Sequence, residues 1–124
     1  MSFNFEEDTP IYLQIIEYIK MQIISRKLLP KQKLPSVREF SFDLEVNPNT
    51  VQKALLELEN MGLIFTERTN GKFVTNNEKL IDEIKKQTIQ KMVEDFYVSM
   101  KKIGIEKEQV LKILIDKEIE KWKF

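Results

Sequence analysis

Apolar residues recur every three or four positions near the start of the chain, from Ile11 to Ile23. This spacing places them on one face of a helix and predicts an amphipathic helix. Thr9 and Pro10 precede it, and this pair is typical of a helix start because Thr caps free amides and Pro is tolerated in the first turn. We place the helix end near Ser25, since the next segment, KLLPKQKLPS, carries two prolines that predict a loop.

A second helix is predicted from Ser36 to about Leu44. Ser36 and Glu39 have the spacing of a capping box, in which each side chain bonds the backbone amide of the other residue. Val37, Phe40 and Leu44 recur with helical spacing and are expected to form the buried side of this helix.

A third helix is predicted to begin abruptly, with Asn47 as its N-cap and Pro48 at its first position, and to end at Gly62. Its apolar positions, from Val51 to Met61, again follow a helical period. Two helices that are joined by only two or three residues, and that are both apolar on one side, indicate a helix-turn-helix.

Residues 63–75 carry the pattern of a small β-hairpin. The run LIFTER is strand-like, TNG has the composition of a tight turn, and KFVT forms the returning strand. A helix, a helix-turn-helix and a hairpin in this order predict a winged helix. We therefore expect a mainly α fold with a small β-hairpin, in which residues 1–75 form a winged helix-turn-helix DNA-binding domain.

Residues 76–124 are predicted to form two helices, a long one that Asn77 caps and Gly104 ends, and a second from about Glu106 to Trp122. Both carry apolar stripes that an isolated helical hairpin cannot bury, so the stripes pack on the winged domain, on a second chain, or on both. We favour a second chain and interpret this segment as a C-terminal helical hairpin for homodimerisation. The expected contact residues are Ile84, Met92, Phe96, Met100, Leu111, Leu114 and Trp122.

The 124 residues include no Cys and no His. Disulfides, thiolate ligands and the usual general base near neutral pH are therefore absent, and the common catalytic and phosphate-binding motifs do not occur. These observations argue against an enzyme, a metal site or a cofactor. The lack of Cys gives no sign of export to an oxidising compartment, so we expect a cytoplasmic protein. No apolar run approaches the ~20 residues needed to cross a bilayer, so we expect no membrane segment.

The zero net charge conceals an uneven distribution. Residues 1–9 carry a charge of −3, residues 10–75 a charge of +2 and residues 76–124 a charge of +1. DNA-binding domains are commonly basic. The small positive charge of residues 10–124 is therefore only weak evidence for or against nucleic acid as a partner.

The outer face of the third predicted helix carries Asn49, Gln52 and Lys53, with Thr50 beside them. Asn and Gln can bond adenine through a paired donor and acceptor, and Lys can reach guanine or phosphate, so these side chains suit a major groove. Leu56 is the one apolar residue on this face.

Two further elements offer cations to the DNA backbone. Arg38 lies early in the second predicted helix, where it can reach the backbone, and its alternative is a surface salt bridge. Arg68, Asn70, Gly71 and Lys72 surround the hairpin turn, which offers cations and open amides to phosphates or a minor groove, although an ordinary exposed turn has the same composition.

The segment from Thr9 to Val74 resembles the winged helix-turn-helix of the GntR family of bacterial transcription regulators. The motifs LPSVRE, VNPNTVQKAL and GKFV carry this resemblance, and the short two-helix remainder is similar to the YtrA-like subfamily. The resemblance implies a homodimer that binds a palindromic operator in double-stranded DNA, and our hypothesis is that it acts as a repressor. It also implies DNA contacts by the seven residues Arg38, Asn47, Asn49, Thr50, Gln52, Lys53 and Gly71, and the composition of the hairpin turn adds Arg68, Asn70 and Lys72 as candidates.

The chain departs from the family pattern where glycine is common. Arg26 and Lys31 stand in the first loop, Glu45 stands in the turn between the two helices, and Thr69 replaces the first glycine of the wing. Glu45 is expected to need a positive φ at some cost in strain. Thr69 is expected to alter the close approach of the wing to DNA.

Two alternatives remain open at this stage. A ligand-responsive regulator would bind an unidentified small-molecule effector in a pocket at the dimer interface, lined by the C-terminal stripes. A winged helix used as a protein-interaction module would need an apolar outer face on the third helix, and only Leu56 fits that requirement.

Overall fold

The structure, a computed structural model, describes residues 4–116. The helices and strands follow one another as α1 (Ile11–Ile24), α2 (Val37–Leu44), α3 (Pro48–Asn60), β1 (Ile64–Glu67), β2 (Gly71–Val74), α4 (Glu78–Lys102) and α5 (Lys107–Ile115). The predicted class, mainly α with a small β-hairpin, is confirmed. The chain divides into two compact units, of which the first ends at Ile84 and the second begins at Lys85.

Local side-chain chemistry explains how the helices of the helix-turn-helix begin. The Ser36 hydroxyl accepts from the Glu39 amide at 3.1 Å, and the Glu39 carboxylate accepts from the Ser36 amide at 3.1 Å, as the capping box predicts. Asn47 caps α3, since its Oδ1 accepts from the Asn49 amide at 2.8 Å. The expected cap at Thr9 is wrong, because Pro10 occupies the N-cap position of α1 and no side chain caps that helix.

Left-handed residues end three helices of the first unit. Gly62 follows α3 with a φ of 81°, and the Leu63 amide donates to the Leu58 carbonyl at 3.1 Å, which closes the helix end. Glu45 follows α2 with a φ of 55°, which confirms its expected left-handed conformation. Arg26, just past α1, has a φ of 66°.

The Arg26 side chain ties the end of α1 to the start of α4. Its guanidinium donates to both carboxylate oxygens of Glu78, with Nη1 at 3.2 Å from Oε1, and lies 3.9 Å from the Asp82 carboxylate. The hydrogen bond from Arg26 holds the pKa of Glu78 below its ordinary value. Lys31, the other loop position at which glycine is common, also adopts a positive φ of 69°.

The core of the first unit lies between α1, α2, α3 and the hairpin. Its largest fully buried side chains include Phe40, Ile15, Ile19, Ile23, Leu55, Leu58, Leu63 and Ile64. The first turns of α4 belong to the same core, because Ile81 is buried and both Leu80 and Ile84 pack against it. The compact unit therefore extends past residue 75, where the DNA-binding domain was expected to end.

The hairpin is antiparallel and pairs Ile64 with Val74, and Thr66 with Lys72. The other edge of β2 bonds the loop between α1 and α2: the Leu34 amide donates to the Lys72 carbonyl at 2.8 Å, and the Val74 amide donates to the Gln32 carbonyl at 2.9 Å. Because β2 is paired on both edges, the wing is anchored to the loop as well as to β1.

The second unit contains the rest of α4 and all of α5. Gly104, with a φ of 84°, ends α4 as predicted, and Val110 of α5 is buried within the unit. The Lys107 ammonium lies 5.5 Å from the centre of the Tyr97 ring. α5 ends at Ile115, after which Asp116 is extended, and the predicted end of the last helix at Trp122 lies outside the described residues.

Across residues 4–116, no helix is both long enough and apolar enough to cross a membrane.

Candidate nucleic-acid interface

Helix α3 presents a polar face and a buried apolar face. Val51 and Ala54 are completely buried, whereas Asn49, Gln52 and Lys53 are exposed. The buried positions lock the rotation of α3 on the core, so the three polar side chains share the outer surface that the sequence assigned to them. An exposed helix face of this composition can enter a major groove and hydrogen-bond base edges.

Asn47 and Thr50 stand apart from that exposed group. The Oδ1 atom of Asn47 is occupied by the Asn49 amide, so its carbonyl group serves the helix start, although the residue itself is exposed. Thr50 is half-buried at the first turn. Both lie at the positive end of the α3 dipole, which favours a phosphate group nearby.

Lys53 has a fixed position in the first unit. Its ammonium lies 3.9 Å from the centre of the Tyr12 ring on α1, within the range of a cation–π interaction. Tyr12 itself is half-buried and packs against the core. The ring therefore limits the freedom of a flexible side chain and holds its charge near the outer surface of α3.

Arg38 is exposed near the start of α2. The alternative of a surface salt bridge does not occur, because Arg38 forms no ion pair within residues 4–116. The capping box already engages the Glu39 carboxylate. The guanidinium of Arg38 is consequently available to an external anion.

The wing turn contains Arg68, Thr69 and Asn70, which are all exposed. Arg68 has no ion-pair partner in the part of the chain that the structure describes. Asn70 donates through its side chain to the Glu67 carboxylate at 3.1 Å. Thr69 does not have a positive φ, so the replacement of glycine there introduces no left-handed strain.

Gly71 is the position of the wing that requires glycine. Its φ is 103°, and a Cβ atom would lie 3.3 Å from Cε of Lys33. A side chain at this position would be strained by the backbone and crowded by the neighbouring loop. The predicted DNA-contacting glycine is thus required by the shape of the turn itself.

Lys72 does not project freely from the wing. Its ammonium donates to the Thr66 hydroxyl at 2.7 Å and lies 3.5 Å from Oε2 of Glu59 at the end of α3. The Thr66 hydroxyl in turn donates to Oε1 of Glu59 at 2.6 Å. Contrary to the expected open cation, Lys72 belongs to a closed network between the hairpin and α3.

The same network changes the protonation of Glu59. The hydrogen bond from Thr66 and, after it, the positive charge of Lys72 hold the pKa of Glu59 below its ordinary value, against the opposite effect of partial burial. Glu59 is therefore ionised at neutral pH and balances the charge of Lys72.

The residues expected at a dimer interface fall into three groups. Ile84 packs against the core of the first unit, and Met100 is half-buried in the second. Met92, Phe96, Leu111 and Leu114 of the second unit are each between 43% and 51% exposed. Trp122 lies outside the described residues.

Sequence reasoning missed Tyr12 and Glu59. Tyr12 lies within the segment that predicts α1, and no local pattern indicates its contact with Lys53. Glu59 had a detectable signal, because a carboxylate in the last turn of a helix opposes the helix dipole and needs a compensating partner.

A helix-turn-helix with an exposed polar second helix, an available arginine before it and an anchored wing after it defines a winged-helix DNA-binding protein. The family model "Bacterial regulatory proteins, gntR family" matches residues 11–74. The chain belongs to this GntR family.

Two curated relatives from Bacillus subtilis (strain 168) match most of the chain. The uncharacterized HTH-type transcriptional regulator YhcF is 39% identical over 111 residues, which cover 90% of this chain and 92% of YhcF. The HTH-type transcriptional repressor YtrA is 38% identical over 103 residues, which cover 82% of this chain and 79% of YtrA. The similarity to YtrA agrees with the resemblance seen in the sequence.

Solved structures show the same fold. A GntR family transcriptional regulator from Listeria monocytogenes superposes with a TM-score of 0.81 at 37% identity, covering 89% of this chain and 96% of that protein. The structure of AraR(DBD) in complex with operator ORR3 has a TM-score of 0.53 at 32% identity and covers 60% of this chain and 90% of that protein.

Proposed function

We propose that the protein is a cytoplasmic transcriptional repressor that binds, as a homodimer, a palindromic operator. The observation that carries this proposal is the exposed polar face of α3, where Asn49 and Gln52 are free of the core and Lys53 is held in place by Tyr12. YtrA is named a transcriptional repressor and AraR(DBD) was solved with an operator, which supports the same role for this chain.

Some of the residues that contact DNA read the base sequence, and others anchor the protein to phosphates. Asn49, Thr50 and Gln52 contact base edges with a preference for A·T pairs, because Asn and Gln match the paired donor and acceptor of adenine. Arg38 and Arg68 bind phosphates, since neither is neutralised by an ion pair in the described residues. Lys53 lies between the two groups and can serve either.

Dimerisation is supported by the apolar surface of the second unit. On α4, Met92 is 51% exposed and Phe96 is 43% exposed, and α5 adds Leu111 and Leu114. A soluble protein seldom leaves such a series of apolar side chains in water, so a second copy is the partner we propose for this face. Two heads in a two-fold dimer require half-sites about one DNA turn (~34 Å) apart or slightly more.

The neutral net charge limits binding to unrelated DNA. Affinity then depends on a few placed cations in each head and on the two-fold symmetry, and there is no broad basic surface to add to it. Non-specific binding is expected to be weak and to disappear at moderate salt. Strong binding to arbitrary DNA with little salt dependence would contradict this expectation.

Selection of bound sequences from a random DNA pool tests the proposal. An enriched palindrome is the expected result, whereas an unenriched pool would refute sequence-specific binding. The Gln52→Ala variant is expected to lose ~1–3 kcal/mol of discrimination at one base position in each half-site. Gln90→Ala, an equal change at an exposed position of α4, is the control; equal weakening on every sequence by Gln52→Ala would refute the readout assignment.

The protein-interaction alternative is less well supported. Leu56 is 53% exposed, but its neighbours on the outer face of α3 are polar, so this face lacks the apolar area of a protein-docking helix. The ligand-responsive alternative is tested separately, since an effector that binds the second unit would raise the melting temperature of the protein.

A further inference from the structure

The hairpin of the wing contains a cation that an acidic residue has neutralised. Lys72 and Thr66 face each other across the hairpin, and both side chains point to Glu59 in the last turn of α3. The Lys72 side chain is only 21% exposed and the Glu59 side chain 32%. The three residues form a closed arrangement in which each contacts the other two.

Helix stability does not explain why a glutamate occupies position 59 in the last turn of α3. A carboxylate in the last turn lies at the negative end of the helix dipole, which disfavours it. Glu57, two residues earlier and exposed, has no ion-pair partner in the described residues. Among residues 4–116, Glu59 is the one carboxylate that forms an ion pair with Lys72.

We propose that Glu59 is a specificity-determining residue that withholds the charge of Lys72 from the DNA backbone and thereby suppresses non-specific binding. This inference rests on the proposed DNA-binding function. Each non-specific contact with a phosphate adds affinity that is independent of sequence, so removing one cation per head from the interface widens the difference between operator and unrelated DNA. Arg68 then remains as the phosphate anchor of the wing.

The arrangement also gives Lys72 a scaffold role. Its ammonium joins the hairpin to the end of α3, so the wing is tied to the same helix that reads the bases. The carbonyl of Lys72 meanwhile accepts from the loop amide of Leu34. A lysine used in this way holds the wing while another residue contacts the DNA.

The test measures the salt dependence of affinity for a duplex of unrelated sequence, with the full chain. Glu59→Gln keeps an oxygen that can accept from Thr66 but removes the counter-charge of Lys72. We expect tighter non-specific binding and a log–log salt slope steeper by about 0.9 for each head on the DNA, which is an additional loss of about threefold to fourfold between ~50 and ~200 mM salt.

Three further variants test whether the released charge of Lys72 causes the steeper salt slope of Glu59→Gln. Glu57→Gln makes the same charge change on the same helix and should leave the slope as in the wild type. The double variant Glu59→Gln/Lys72→Gln should also return to the wild-type slope. Lys72→Gln alone should leave the slope unchanged, because the wild-type ammonium makes no phosphate contact, and this variant decides the question if Glu59→Gln fails to fold.

Three results would overturn the inference: an unchanged slope in folded Glu59→Gln, an equal increase in Glu57→Gln, or a shallower slope in Lys72→Gln. The proposed function is judged from a different measurement, which is the preference of the wild type for its selected operator over unrelated DNA. A selective wild type with unaltered variant slopes refutes the role of Glu59 alone, and a wild type without selectivity refutes the function.

Discussion

Replacing Glu45 by glycine is expected to stabilise the protein. Glu45 ends α2 in the left-handed region, with a φ of 55°, and its exposed side chain forms no ion pair in the described residues. That conformation costs a residue with a Cβ atom about 1.5 kcal/mol. Glycine removes this cost but adds about 0.7 kcal/mol through the greater freedom of the unfolded chain.

The difference is a net stabilisation of about 0.8 kcal/mol, which raises the melting temperature by about 3–6 °C for a cooperative unit of this size. Thermal unfolding followed by circular dichroism measures it, at one protein concentration because a dimer melts in a concentration-dependent way. The backbone hydrogen bond from Val46 to Ser41 at 3.1 Å persists in the variant, since no side chain takes part in it.

Two controls show whether the change in stability comes from the backbone conformation at residue 45, from the loss of charge, or from the introduction of glycine as such. Glu57→Gly makes the same replacement inside α3, where the backbone is helical, and should lower stability by about 0.5–1 kcal/mol. Glu45→Gln removes the charge while it keeps the Cβ atom, and should change stability little. If Glu45→Gly destabilised the protein as much as Glu57→Gly does, the strain argument would be refuted.

Four further outcomes are expected. Tyr12→Leu should weaken operator binding, because an aromatic ring holds the Lys53 ammonium. Tyr12→Phe keeps the ring and should bind the operator as the wild type does, as measured in a binding titration. Gly71→Ala should lower the melting temperature, since its φ of 103° disfavours a Cβ atom. Phe96→Asp should convert dimers to monomers in sedimentation experiments. The stability difference between wild type and Glu59→Gln should be present near neutral pH and shrink as the solution is acidified: the hydrogen bond from Thr66 depresses the folded-state pKa of Glu59, so its contribution is lost as pH falls through that depressed value.

The sequence predicted best the features that depend on neighbouring residues. The capping box of Ser36, the N-cap Asn47 and the helix-ending glycines at 62 and 104 all follow from local backbone chemistry, and the structure contains each of them. The left-handed conformation of Glu45 was expected from the family resemblance, because glycine is common at this turn position in the family.

The features that the sequence did not predict depend on contacts between residues that lie far apart in the chain. The pairing of Lys53 with Tyr12 joins α3 to α1, and that of Lys72 with Glu59 joins the wing to α3. Hydrophobic periodicity says which face of an element is buried but not which polar residue it meets. The sequence predicted a helix that runs on past Ile115, because the apolar pattern continues there, whereas α5 ends at that residue.

The pairing of β2 with the loop between α1 and α2 has a consequence for the order in which the protein folds. Leu34 and Lys72 are far apart in the sequence, so their hydrogen bond closes a large loop that contains α2, α3 and β1. Contacts of such separation form late, after local helices and turns. During synthesis, α2 and α3 can form as soon as they leave the ribosome, but the pairing of the hairpin with this loop must wait until Val74 has emerged. Affinity for DNA should therefore appear in a nascent chain only after the last strand is available.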